Sequence, residues 1–211
     1  MKNAEIDEIL SKAPVLPVLT IHDLESAAPL AQALFEAGLP VVEVTLRTPV
    51  ALQAIGTMRD AVSGMIVGAG TVLSEQDLDR VEKAGAAFAI SPGATPALYR
   101  AAQQASIPFV PGVATASEVM AGIEFGWSRF KFFPAEAAGG VATLMGWRGP
   151  FPDARFCPTG GISASNAAEY LHLENVITVG GSWMVPSDAI HDRDWQRIVA
   201  LARDCVNLLS D

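Results

Sequence analysis

Met65-Ile66-Val67-Gly68-Ala69-Gly70-Thr71-Val72-Leu73-Ser74-Glu75-Gln76-Asp77 holds the plan of the whole chain. Met65–Ala69 is a short apolar run that reads as a buried strand. Glycines then make a turn. Ser74-Glu75-Gln76-Asp77 resembles a capping box and starts a helix. Gly85 fits the helix end, where a left-handed residue is needed, and Phe88–Ser91 begins the next strand.

The same unit recurs in both directions. Candidate strands are Val15–Leu19, Val41–Leu46, Met65–Ala69, Phe88–Ser91, Pro108–Val110, Phe130–Phe133, Arg155–Pro158 and Val176–Val179, eight in all. Asp23 is a cap for the helix running to Ala37-Gly38, and Thr115-Ala116-Ser117-Glu118 is a fuller capping box than Ser74–Asp77. Ser163 and Asn166 play similar parts before Tyr170-Leu171. Strands alternating with helices predict a parallel sheet with right-handed crossovers. Eight units in 211 residues predict a compact α/β fold, a (β/α)8 TIM barrel. The competitor is a doubly wound sheet, but no glycine-rich dinucleotide turn follows Val15–Leu19. An extra N-terminal helix, about Ala4–Ser11, is expected to cover one end, and Asp194–Leu209 is the last helix. No linker or low-complexity segment divides residues 1–211, so one barrel domain is expected.

Composition narrows the function. Half of the chain is hydrophobic and 18% is charged, a globular balance. The net charge of −9 argues against nucleic-acid partners and anionic membranes, so an anionic ligand must be held by local devices. Met1–Glu5 has no apolar signal core, and no apolar run spans a bilayer, so a cytoplasmic location is expected. Cys157 and Cys205 have no metal-type spacing and read as free thiols. His22, His172 and His191 have no ligand-like spacing, so no metal is expected.

Chemistry in such a barrel sits at the C-terminal strand ends. Lys131 lies within Arg129-Phe130-Lys131-Phe132-Phe133-Pro134 and is one of only four lysines. Burial disfavours a charged ammonium and favours the neutral amine that attacks carbonyls. Side chains alternate along strands, so Glu43 on the second strand and Lys131 on the sixth can share one interior layer. They form either a Schiff-base amine with a proton-transfer group, or a structural ion pair. Thr159-Gly160-Gly161 and Gly180-Gly181-Ser182 follow the last two strands, where barrels often bind phosphate. Arg47 is placed to hold a carboxylate or to lie solvated, and Thr71 either assists it or starts the next helix.

Six motifs together resemble the 2-keto-3-deoxy-6-phosphogluconate (KDPG) and 4-hydroxy-2-oxoglutarate (KHG) aldolase family. They are Glu43-Val44-Thr45-Leu46-Arg47-Thr48, Gly68-Ala69-Gly70-Thr71-Val72-Leu73, Ile90-Ser91-Pro92-Gly93, Lys131-Phe132-Phe133-Pro134-Ala135-Glu136, Pro158-Thr159-Gly160-Gly161-Ile162 and Gly180-Gly181-Ser182-Trp183. They cover nearly the whole chain in order. The resemblance implies a class I aldolase of the Entner–Doudoroff route that acts on a phosphorylated 2-keto acid without a cofactor, usually as a homotrimer. It implies Lys131 as Schiff base and Glu43 as acid and base, with Arg47, Thr71 and Pro92 at the pyruvate end. Phe133 would pack on the reacting part, and Gly160, Gly161, Gly181 and Ser182 would hold phosphate. Thr159 and Gly180 flank those glycines. Ala137–Thr143 departs from the family by its few polar groups, which leaves the rim contacts and the substrate range open. Two other readings remain. One is a phosphate-binding barrel isomerase, which needs no lysine among phenylalanines. The other is a sugar-acid-binding barrel without turnover.

Overall fold

The computed structural model describes residues 2–208. Its strands are β1 Val15–Leu19, β2 Val41–Thr45, β3 Ile66–Gly70, β4 Ala89–Ile90, β5 Phe109–Val110, β6 Gly112–Val113, β7 Arg129–Phe132, β8 Arg155–Pro158 and β9 Val179–Gly181. All paired strands run parallel, in a six-stranded segment β5-β4-β3-β2-β1-β9 and a three-stranded segment β6-β7-β8. Two junctions close the ring. Pro111 joins β5 to β6, and bridges Phe156↔Val176 and Thr159↔Gly180 join β8 to β9. The result is the (β/α)8 barrel.

The expected strand count differs in one place. The fifth barrel strand is two segments, because Pro111 has no N–H to donate to a ladder. The eighth also shifts: Val176 makes only an isolated bridge, and regular pairing starts at Val179.

Helices α1 Lys2–Leu10, α2 Ala27–Glu36, α3 Ala51–Ala61, α4 Glu75–Lys83, α5 Pro96–Gln104, α6 Ala116–Glu124, α7 Gly140–Trp147, α8 Ala167–Leu171, α9 Ser187–His191 and α10 Trp195–Val206 surround the ring. Thr115 and Glu118 form a reciprocal capping box on α6. Asp23 caps a short 3-10 turn, Leu24–Ser26, that leads into α2. Asp194 caps α10, and the expected end at Leu209 lies outside the described residues. Asn166 does not cap α8; its side chain turns back, accepting from Ser163 N and donating to Gly161 O. Among the described residues no helix is long and apolar enough to cross a membrane.

Helix α1 closes the N-terminal end. Ile6, Ile9 and Leu10 pack with Leu16, Val41, Phe88, Ile90, Val110 and Cys157 inside the barrel. Burial of each of those three α1 side chains is worth about 1.5–3 kcal/mol. Arg129 at the start of β7 fixes the helix through a two-pronged pair with Asp7, at 2.5 and 2.6 Å. The apolar lower half leaves only the C-terminal end open for polar chemistry.

Candidate active site

Above this apolar floor, Lys131 and Glu43 meet. Lys131 Nζ lies 3.0 Å from Glu43 Oε1 and 3.3 Å from Oε2. Lys131 is 6% exposed and Glu43 1%, so little water competes for either charge. Burying such a pair returns little stability on balance, and a barrel interior filled with apolar side chains is the simpler solution. The Lys131 ammonium also stands 5.5 Å from the Phe133 ring centre, within range of a cation–π attraction.

Glycines make the room. A Cβ on Gly70 would lie 2.0 Å from Glu43 Oε1, so the carboxylate occupies space that any other residue would fill. Gly112, beside Lys131 in the β6–β7 ladder, lets the Pro92 carbonyl approach; a Cβ there would meet it at 2.3 Å. Gly180 does the same for Thr159 Oγ1, again at 2.3 Å. Thr71, directly after Gly70, has φ +61°. A β-branched residue in the left-handed region is strained by about 1–3 kcal/mol, and such strain gathers at working sites.

On the other side of Lys131, β8 pairs it with Cys157. Burial pushes the Cys157 thiol up to about 12, with Lys131 pulling down and Glu43 pushing up more weakly. Its Sγ lies 3.9 Å from Thr159 Oγ1. The thiol therefore packs as a small neutral group. Thr45, one interior step beyond Glu43, is fully buried and donates to Leu19 O at 2.9 Å; its Oγ1 is 3.0 Å from Thr20 Oγ1.

The remaining expected residues stand around this centre. Gly160 and Gly161 have φ +98° and +82°, a turn only glycine makes without strain. Gly160 lies against Phe133 and Pro134, and Gly181 against the Trp183 ring. Ser182 is exposed at the end of β9. Arg47 is exposed after β2 and makes no ion pair or side-chain hydrogen bond among the described residues. Lys131, Glu43 and Phe133 are in direct contact range. Arg47, Thr71, Pro92 and Ser182 sit at strand ends and make no side-chain hydrogen bond or ion pair with Lys131 or Glu43. Gly70 as the seat of the carboxylate is the residue that sequence reasoning underused. Its signal is the period-two spacing of Gly68 and Gly70 on the interior face of the strand beside Glu43.

Comparison with known proteins bears on this geometry. The family model described as KDPG and KHG aldolase matches residues 6–201. The KHG/KDPG aldolase of Escherichia coli (strain K12) is 51% identical over 208 residues, covering 98% of each chain. The structure of KDPG aldolase from Legionella pneumophila, with pyruvate captured at low pH as a covalent carbinolamine intermediate, is 48% identical with TM-score 0.93. It covers 95% of this chain and 97% of that one. That of Zymomonas mobilis ZM4 KDPG aldolase with 3-phosphoglycerate is 46% identical with TM-score 0.93, covering 98% and 97%. A barrel with a lysine–glutamate pair at its open end, matched along nearly its full length, leaves one conclusion: the chain belongs to the KDPG and KHG aldolase family.

Proposed function

We propose that this barrel is a class I aldolase that cleaves 2-keto-3-deoxy-6-phosphogluconate to pyruvate and glyceraldehyde 3-phosphate. The observation that carries the reading is the buried 3.0 Å contact between Lys131 Nζ and Glu43. At that distance the pair can pass a proton, leaving the amine neutral for attack on the C2 carbonyl. Addition gives a carbinolamine, and loss of water gives a protonated imine. Glu43 then takes the C4 hydroxyl proton, directly or through a water. The C3–C4 bond breaks, its electrons flow to the imine nitrogen, and an enamine remains on Lys131. Glyceraldehyde 3-phosphate leaves. Proton return to C3 and hydrolysis release pyruvate and the free amine. The carbinolamine captured in the Legionella pneumophila relative supports this order of events.

Arg47, without an ion pair among the described residues, suits the substrate carboxylate, with Thr71 and Pro92 lining the same end. The Gly160-Gly161 and Gly180-Gly181-Ser182 turns suit the phosphate, with backbone donors in place of a positive field. Thr159 supports the wall between them. The same imine chemistry extends to 4-hydroxy-2-oxoglutarate, yielding pyruvate and glyoxylate, a reading favoured by the name of the Escherichia coli relative. A homotrimer of single-barrel chains in the cytoplasm is part of this reading. Exposed Leu73, Met120, Ile123 and Met145 support association.

The test is pyruvate release from 2-keto-3-deoxy-6-phosphogluconate. Wild type turns over. Lys131→Ala keeps its fold and loses activity, and Glu43→Gln slows turnover more than it weakens imine formation. An active Lys131→Ala enzyme overturns the proposal.

A further inference from the structure

Glu136 stands just past β7, where the β7–β8 ladder continues as backbone. Ala135 N donates to Thr159 O at 2.8 Å, and Glu136 N to Gly160 O at 3.1 Å. The Glu136 side chain lies under Gly161, where a Cβ would fall 2.5 Å from Glu136 Cγ. One carboxylate oxygen, Oε1, accepts a hydrogen bond from the Tyr170 hydroxyl on α8. Tyr170 is fully buried, and Gly140, at φ +58°, clears its oxygen; a Cβ there would lie 2.9 Å away. From the other side, Asn166 Nδ2 donates to Gly161 O at 3.1 Å. The Gly160-Gly161 turn is therefore held from two sides, by Glu136, itself bound to Tyr170, and by Asn166.

We propose that Glu136 and Tyr170 are positioning residues that fix the Gly160-Gly161 turn for the substrate phosphate. This rests on the aldolase reading above. Two consecutive glycines in left-handed conformations have many alternatives and hold no donor geometry by themselves. Anion binding by backbone N–H groups needs that geometry set beforehand. The clamp also manages charge. A carboxylate beside a phosphate site opposes binding, and the Tyr170 hydroxyl holds Oε1 against the Gly140 turn. Burial first, and the neighbouring Glu136 next, push the Tyr170 phenol well above its ordinary range, so it keeps the proton it donates.

Tyr170→Phe removes that one donor and little volume. The measurement pairs KM and kcat for 2-keto-3-deoxy-6-phosphogluconate with the pyruvate concentration giving half-maximal borohydride trapping at Lys131. Pyruvate carries no phosphate. The expected result is a KM raised about tenfold, kcat within about twofold, and pyruvate half-saturation unchanged. Glu136→Gln, which still accepts from Tyr170, loses less than Glu136→Ala. An unchanged KM overturns the proposal, and so does an equal rise in KM and pyruvate half-saturation, which marks a general loss of structure. If Tyr170→Phe loses its cooperative melt, Glu136→Ala, which trims an exposed side chain, reads the same split. Wild type is trapped first: failure at Lys131 there refutes the aldolase reading itself, whereas successful trapping with no KM effect refutes only the clamp.

Discussion

Gly70→Ala adds one methyl group to the wall behind the Glu43 carboxylate. Gly70 is not in a left-handed conformation, so alanine meets no backbone penalty and the conflict is steric. The new Cβ would stand 2.0 Å from Glu43 Oε1, 2.6 Å from Cδ and 2.7 Å from Cγ. Ordinary contact requires the carboxylate to retreat by about 1.4 Å. Glu43 is 1% exposed, so it has no solvent to swing into, and the retreat disturbs its 3.0 Å contact with Lys131. Misplacing a reacting group by about 1 Å costs on the order of 10²-fold, and general acid–base assistance as a whole is worth about 10²–10⁴-fold. We therefore expect kcat to fall about 10²- to 10³-fold, or roughly 3–4 kcal/mol of barrier. Overpacking should also cost about 1–3 kcal/mol of stability. The assay is pyruvate release followed by coupled reduction, with thermal melting alongside. Gly146→Ala, with open space around its Cβ, is the matched control and should leave kcat unchanged. A Gly70→Ala enzyme with kcat within about threefold of wild type would refute the reasoning: the carboxylate would not need its present seat.

Two further outcomes follow from strain and burial. Thr71→Gly releases the left-handed strain at φ +61°, and after the unfolded-state cost of glycine should stabilise by about 1 kcal/mol while lowering turnover; a lower melting temperature would contradict this. Burial pushes Cys157 and Cys205 each up to about 12, so both are neutral thiols at pH 8 and should resist iodoacetamide in the native protein but react in denaturant. The linkage has a definite sign: between roughly pH 9 and 12 the folded chain keeps thiol protons that the unfolded chain releases, so stability falls with rising pH across that window, and a rise there would be inconsistent with buried thiols.

The barrel was legible because its information is local. Short continuous apolar runs, capping residues and helix-end glycines such as Gly38 and Gly85, at φ +96° and +84°, each mark one boundary. The Glu43–Lys131 meeting was legible for a related reason. Strand alternation and the layer rule place both side chains inside, although they are 88 residues apart. Pro111 was visible in the chain, yet its splitting of a strand depends on which ladder N–H is missing, a pairwise fact. Asn166 was misread because a cap and a backward bond to Gly161 use the same side chain, and only the loop's path chooses between them. The Glu136–Tyr170 clamp left no local trace, since its partners are 34 residues apart and neither lies in a repeating pattern.

Borohydride reduction in the presence of pyruvate, followed by peptide mass spectrometry, tests the imine most directly. The expected result is one reduced pyruvyl adduct, on the peptide containing Lys131. No adduct, or adducts spread over Lys2, Lys12 and Lys83, would contradict it and return Lys131 and Glu43 to a buried structural ion pair.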